Sequence, residues 1–309
     1  MKYLVTGGAG FIGSHLIEEL LRRKHQIVIV DDLSAGSLDN INNIDRCEVF
    51  VKKFQNIDTK SIEGIDGIFH LAAQASVPIS IDEFYTSTEN NVLSTVKVFD
   101  IARKFNIPVV YASSSAIYGD LPLGDDTSTS IDLGSPYAAD KLVSEHYATV
   151  AHKLYAVSSV GLRFFNIYGP RQDPSSPYSG VISIFSDRVC SGDTVTVNGG
   201  YQTRDFVYVK DAVNIMYESM QLAFNKSICE AVNVCTGRSI TIDSLLEVII
   251  SLIGKKPQII YKELPPGDPE RSLGTYQKML DLFGLALQDF IQIEEGLTAT
   301  VEYYQLENS

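Results

Sequence analysis

Cysteine is scarce. Cys47, Cys190, Cys229 and Cys235 are the only four in 309 residues. No two of them form a CxxC pair, so the sequence offers neither a zinc ribbon nor a disulfide framework. The five histidines form no ligand-spaced cluster. His70 closes an apolar run and reads as a packed strand end rather than a ligand. Positive charge is in the minority: 25 Lys and Arg stand against 38 Asp and Glu, a net charge of −13. That balance argues against long contacts with nucleic acid or an anionic membrane. It still allows a phosphorylated small molecule gripped by a few local donors. No apolar window reaches the length that spans a bilayer. The start, MKYLVTGG, passes from one lysine into a strand-like run without the apolar stretch and cleavage site of a secretory signal. There is no internal repeat and no low-complexity tail. The expectation is a reduced, cytoplasmic, metal-free enzyme or binding protein.

What is present is an ordinary globular composition, 45% hydrophobic and 20% charged, with strand-length apolar runs alternating with helical patterns. KYLVTG, QIVIVDD, CEVFVKK, GIFHLAA, IPVVYASSS and AVSSVGLRFFN read as strands. Between them, 11–23, 88–105 and 137–153 read as helices. Strands alternating with helices imply an α/β fold, a doubly wound parallel sheet of the Rossmann type covered on both faces. After Asn166 the pattern loosens. GPRQDPSSPYSG is a loop rich in Pro, Gly and Ser. Beyond it, 180–191 reads as helix, TVTVNGGYQTRDFVYV as strands around a Gly-Gly turn, and shorter helices and strands follow. The organisation expected is a dinucleotide-binding domain over 1–165 with a return segment near 205–225. A smaller α/β substrate-binding domain would take 166–204 and 226–309.

The first strand runs into TGGAGFIG, with Gly7, Gly10 and Gly13 three residues apart. Glycine lets the chain turn sharply and lets backbone N–H groups approach a pyrophosphate, while the helix start behind it favours negative charge. The loop lies between strand and helix, as such a motif requires. The second strand ends at Asp31, at the spacing of an acid that holds the adenine ribose hydroxyls. A carboxylate there repels a 2′-phosphate, so NAD rather than NADP is the cofactor expected. The bland alternative is a tight turn followed by a strand-end acid.

SPYAADKL supplies a second signal: Tyr137 and Lys141 are four residues apart at a helix start and share one face. Alone, that spacing describes any amphipathic surface helix. In this chain TGGAGFIG, HLAAQASV, YASSSAIYG and SPYAADK occur in order, and together they resemble the extended short-chain dehydrogenases/reductases. GLRFFNIYGPRQ, GGYQTRDFVYVKD and PPGDPERS resemble the nucleotide-sugar branch of that family, especially the UDP-hexose 4-epimerases. The resemblance runs along nearly the whole chain.

The resemblance implies that Tyr137 is the catalytic base, Lys141 its electrostatic partner and a hold on the nicotinamide ribose, and Ser115 the hydroxyl partner beside the sugar. It assigns NAD to Gly7, Gly10, Phe11, Ile12, Gly13, Asp31, Leu71, Ala72, Ala73, Gln74 and Asn91, with Tyr137 and Lys141. It assigns the UDP-sugar to Ser76, Ser115, Tyr137, Asn166, Arg204, Asp268, Arg271 and Ser272, and it implies a homodimer through the helices near 88–105 and 137–153. One departure is clear. The family's Gly-Asp-aliphatic stretch after the third strand, whose Asp contacts adenine, is replaced here by VKKFQNID. Phe54 takes that place, and the contact is not carried to Asp58.

The chemistry asked of the pair is acid–base. A free phenol has a pKa near 10. A cation at about 4 Å, at an effective dielectric of about 20, is worth roughly 4 kcal/mol, on the order of three pKa units. On that reading the lysine brings the phenol near neutrality. The resemblance then implies interconversion of C4 epimers through a 4-keto sugar. The 4,6-dehydratases carry an acidic pair directly after the loop hydroxyl, and the decarboxylases a glutamate nearby; Ala116 and Ile117 supply neither. In hexose-only epimerases a tyrosine four residues past the GD aspartate crowds the sugar's 2-substituent. Ser272 is small, which implies UDP-GlcNAc/UDP-GalNAc as substrates alongside UDP-Glc/UDP-Gal. A reductase or other enzyme of the branch, and a non-catalytic NAD(P)-sensing protein, are the rival classes.

Overall fold

The computed structural model describes residues 1–176, 179–265 and 268–308. In chain order the elements are β1 (Lys2–Thr6), α1 (Phe11–Arg22), β2 (Gln26–Asp31), β3 (Cys47–Val51), β4 (Gly67–His70), α2 (Val77–Asp82), α3 (Phe84–Phe105), β5 (Val109–Ser114), α4 (Pro136–Tyr155) and β6 (Ser159–Phe164). There follow β7 (Asn166–Tyr168), α5 (Val181–Ser191), β8 (Val195–Asn198), β9 (Thr203–Tyr208), α6 (Val209–Asn225), β10 (Cys229–Val234), β11 (Ser239–Thr241) and α7 (Ile242–Ile253). The chain closes with β12 (Ile259–Lys262), β13 (Arg271–Ser272), α8 (Gln277–Phe283) and α9 (Ile293–Glu307).

Seven strands form one sheet in the order β10-β6-β5-β4-β1-β2-β3. β1 pairs in parallel with both β2 and β4, and the parallel pairing extends to β3 and β5. The order of strands along the chain reverses between β1 and β4. The crevice outside the carboxyl ends of such strands is where this architecture takes ligands. Strand periodicity divides the apolar side chains between two layers. Leu4, Val28, Val30, Ile68 and Val109 pack with Val98, Phe99, Ile101 and Ala102 of α3 and with Ala148 and Ala151 of α4. On the other face Tyr3 lies against Phe69 and against Phe224 of α6.

The chain divides into two compact units. One comprises Met1–Ile117, Ser135–Arg163 and Val213–Val232; the other comprises Tyr118–Gly134, Phe164–Ala212 and Asn233–Ser309. The segment returning to the first unit is therefore 213–232, carrying most of α6 and β10, rather than 205–225. The stretch 118–134, expected in the first domain, groups with the second unit. In the second unit, β9 joins β11, β13 and β7 in a small sheet, and β12 pairs with β8. Asn233 ties this unit together: its side-chain amide donates to the Gly124 and Thr275 carbonyls, each at 3.0 Å, and accepts from the Tyr118 hydroxyl at 2.7 Å. Among the described residues no helix is long and apolar enough to cross a membrane.

Candidate active site

In the first unit, β1 passes into α1 through a turn that only glycine tolerates at two points. Gly7 has φ +70°, and a Cβ there would run into the backbone of Leu71 and Ala72. At Gly13 a Cβ would collide with the Gly7 carbonyl oxygen. Helix α1 starts at Gly10 with no side-chain cap and no acid in its first turn. Its leading N–H groups and its dipole are thus left for an outside anion. Phe11 and Ile12 stand half-buried in that first turn. Asp31 closes β2 and accepts the backbone N–H groups of Ala9 and Leu33, each at 2.9 Å, so it braces the turn from below. Burial pushes its carboxyl up, against those two bonds. A dinucleotide fits this donor set: an uncapped helix start, a side-chain-free turn and a carboxylate at the neighbouring strand end.

Leu71, Ala72, Ala73 and Gln74 leave β4 beside the turn, with the Leu71 N–H on the Thr6 carbonyl at 3.0 Å. His70 is buried and bridges Thr6 Oγ1 at 2.7 Å and Thr95 Oγ1 at 3.1 Å. Burial, reinforced by the charge of Lys141, pushes its pKa down to about 3. It is a neutral packing group, as its position in the sequence suggests. Two residues assigned to ligands are committed elsewhere. Asn91, buried on α3, accepts from the Gln74 N–H at 2.7 Å and donates to the Gln74 carbonyl at 3.1 Å and to Asp140 at 3.0 Å. It therefore holds the loop after β4 onto α4. Ser76 is buried as the N-cap of α2, accepting from the Ile79 N–H at 3.3 Å. Phe54 is buried in the core, and Asp58 caps the short turn that follows, accepting from the Lys60 N–H at 3.1 Å.

Helix α4 begins where Ser135 accepts from the Ala138 N–H at 3.2 Å and Pro136 pre-sets the first turn. Ser80 of α2 accepts from the Tyr137 N–H at 3.2 Å, which fixes the tyrosine backbone from the side. Of the neighbouring serines it is Ser114, not Ser115, that acts on the Tyr137 phenol, favouring its anion. Ser114 is the last residue of β5, whereas Ser115 opens the turn beyond it, so the strand's end decides which hydroxyl faces the phenol. The resemblance assigns that role to Ser115, one residue further on.

The electrostatics also differ from the simple pairing. Lys141 Nζ lies 5.5 Å from the Tyr137 ring centre and donates to the Ala112 carbonyl at 2.8 Å. Burial pushes its pKa down to about 8. Burial pushes the Tyr137 phenol up, opposed by the Ser114 hydrogen bond and assisted by the charge of Asp140. In the protein alone the phenol moves away from neutrality, because desolvation, with the charge of Asp140, outweighs what the Ser114 hydroxyl returns.

In the second unit the residues expected on the substrate gather on the small sheet. Arg271 pairs with Thr203 and Ser272 with Arg204 across β13 and β9; Asn166 pairs with Phe206 across β7 and β9. The Arg204 guanidinium is nearly buried, donates to the Thr203 carbonyl at 2.9 Å and is paired with Asp268. Asn166 donates to the Asp205 carbonyl at 2.8 Å. Arg271 is exposed and Ser272 half-buried. Pro266 and Gly267 of PPGDPERS lie outside the described residues. Among the described residues no group of His, Cys, Asp and Glu has the arrangement of a metal site.

Residues 3–235 match the family model described as the NAD dependent epimerase/dehydratase family. A putative UDP-glucose 4-epimerase of Methanocaldococcus jannaschii is 34% identical, with 99% of each chain covered. The crystal structure of a UDP-glucose 4-epimerase from Thermotoga maritima with UDP-glucose superposes with a TM-score of 0.91, at 32% identity and with all of both chains covered. A UDP-N-acetylglucosamine 4-epimerase from Methanobrevibacter ruminantium, in complex with UDP-N-acetylmuramic acid, gives the same TM-score at 34% identity, covering 99% of this chain and 98% of that one.

Proposed function

The chain belongs to the NAD dependent epimerase/dehydratase family, and from that premise we propose that it is a UDP-sugar 4-epimerase acting through a 4-keto sugar on UDP-GlcNAc/UDP-GalNAc and on UDP-Glc/UDP-Gal. The observation that carries the reading is Lys141, buried one turn along α4 from Tyr137 with its Nζ 5.5 Å from the Tyr137 ring centre. NAD, held by the Gly7–Gly13 turn and Asp31, supplies the acceptor and donor of hydride when bound. Tyr137 takes the proton of the sugar 4-hydroxyl and later returns it. Ser114 orients the phenol and stabilises its anion by hydrogen bonding. Lys141, tied to the Ala112 carbonyl, keeps a positive charge beside the ring.

Elimination of the 6-hydroxyl, the step that follows oxidation at C4 in a 4,6-dehydratase, needs a proton donor beside the loop hydroxyl. The two residues after Ser114 are Ser115 and Ala116, neither an acid. That favours epimerisation over the dehydratase alternative. Arg204 and Arg271 are suited to the diphosphate, as arginine forks are. The small Ser272, paired with Arg204 across the strands, leaves room for a 2-acetamido group. The exposed apolar residues of α3 and α4 support a homodimer.

The reaction is tested by incubating the protein with UDP-GlcNAc, UDP-Glc and dTDP-glucose and reading the products by NMR. Two C4 epimers, without net absorbance change at 340 nm, are expected. A dehydrated product or stoichiometric cofactor consumption would sink the reading. Tyr137→Phe is expected to retain NAD and lose turnover by roughly 10³-fold. Ser272→Tyr is expected to cut turnover of the N-acetylated pair by at least roughly tenfold, the scale of steric discrimination in a pocket, while sparing the plain hexoses. Unchanged N-acetyl turnover in a folded Ser272→Tyr protein overturns the substrate assignment.

A further inference from the structure

Helix α4 carries a third side chain on the stripe of Tyr137 and Lys141. Glu145 follows at the same four-residue step, one turn further along. Each of the three reaches the β5 strand end: Tyr137 to Ser114, Lys141 to the Ala112 carbonyl at 2.8 Å, and Glu145 Oε1 to the Ser113 hydroxyl at 2.6 Å. Glu145 is clamped from behind by Arg163 of β6. Arg163 donates from Nε to Oε1 at 2.9 Å and from Nη2 to Oε2 at 2.7 Å, with each side chain only 10% exposed.

A two-pronged pair of this kind fixes orientation as well as distance. Burying both charges is costly, and apolar side chains of similar volume commonly hold such a site as well or better. Stability therefore does not explain the pair. Acid–base chemistry does not either, because Glu145 lies one turn beyond Lys141 and two beyond Tyr137. What the pair does hold is Ser113, the immediate neighbour of the serine that meets the phenol.

The geometry points to Glu145 and Arg163 as positioning residues that pin Ser113, and with it the end of β5, so that the Ser114 hydroxyl stays on Tyr137. The inference rests on the reading of Tyr137 as the acid–base group. Without the clamp, the strand end loses the Glu145 tie and keeps those at Ala112 and Ser114. A displacement of about an ångström at such a contact can cost roughly 10²-fold in rate.

The test uses the NAD-loaded protein with tyrosine labelled at ¹³Cζ, the Tyr137 signal being identified by its loss in Tyr137→Phe. Glu145→Leu combined with Arg163→Met replaces the clamp by a dry apolar contact. The double variant is expected to melt close to the unmodified protein. Its kcat is expected to fall roughly 10- to 100-fold, with KM for the UDP-sugar within about twofold, a split that marks loss of alignment rather than of binding. Its Tyr137 signal is expected to titrate at higher pH. Ser113→Ala is expected to reproduce the fall in kcat and the titration shift, and Ser113→Thr, which keeps the hydroxyl, to reverse both. A folded double variant with unchanged kcat and titration overturns the inference. If that variant does not fold, equal kcat and titration in Ser113→Ala and Ser113→Thr overturn it instead. Should the unmodified protein epimerise no UDP-sugar, the functional reading fails, and the tyrosine titration alone decides the positioning role.

Discussion

At the scale of single residues, the decisive fact is which of three consecutive serines meets the phenol. Ser113 bonds Glu145, Ser114 acts on the Tyr137 phenol, and Ser115 begins the turn. The run itself hides this register, because three identical side chains in a row give no periodicity to read. Only the point at which β5 ends resolves it. Ser114→Ala is expected to lower kcat roughly 10- to 100-fold, the scale of a hydrogen bond to a charged group, and Ser115→Ala to change it less than about twofold. Steady-state kinetics on both variants checks the assignment; the reverse ranking would return the role to Ser115. The Tyr137–Lys141 spacing was legible because helical geometry fixes it. The direction of the phenol's shift was not, because it depends on burial, which no spacing encodes. Asn91 and Ser76 illustrate the same limit: motif position says nothing of the bonds each makes inside the protein, Asn91 to Gln74 and Asp140 and Ser76 as the cap of α2.

At the scale of elements, the strands of the large sheet were legible from their apolar runs, and the glycine turn from its place between strand and helix. The small sheet was largely not. β13 is two residues long and β11 and β7 three each, too short for any alternation to stand out. Their identity comes from pairing with β9, a long-range fact. That sheet carries a buried acid with a consequence for stability. Asp205 of β9 is fully buried and accepts from the Thr236 hydroxyl at 2.7 Å and from the N–H groups of Thr236 and Gly237 at 3.0 and 2.7 Å. Burial outweighs these bonds and raises its pKa from 3.8 to about 6. A folded-state pKa above the unfolded value means that the native state binds the extra proton between the two. The stability this proton contributes is full below about pH 4 and is lost as pH rises through about 6. Between about pH 5 and pH 7 the loss is on the order of 1 kcal/mol. Asp205→Asn is expected to flatten the pH dependence of stability by about that amount. It should also lower stability at both pH values, because its amide nitrogen cannot accept from the backbone donors of the 236–237 turn. Urea unfolding of both proteins at the two pH values checks this, and identical slopes would refute it.

At the scale of the whole molecule, the question is what covers the outer faces of α3 and α4. Their inner faces pack on the large sheet through Val98, Phe99, Ala102, Ala148 and Ala151. Their outer faces keep a second apolar set: Tyr85 (75% exposed) and Leu93 (51%) on α3, and Val150 (48%) and Leu154 (67%) on α4. The spacings 85–93 and 150–154 place each set along one helical stripe. Scattered exposed apolar residues are ordinary, but two stripes on neighbouring helices form a patch of the kind that marks an interface. A second copy would answer it by symmetry: two helices from each protomer, related by a two-fold axis, would cover one another as a four-helix contact. A stable dimer of this sort buries roughly 800 Å² from each partner, which two helix faces can supply. Leu154→Glu places a charge in the middle of that contact, where it must be desolvated or the contact opened. Sedimentation velocity at micromolar concentration is expected to show a dimer for the unmodified protein and a monomer for Leu154→Glu, with circular dichroism unchanged. A monomer in both refutes the self-association. A dimer in both moves the interface off these helices.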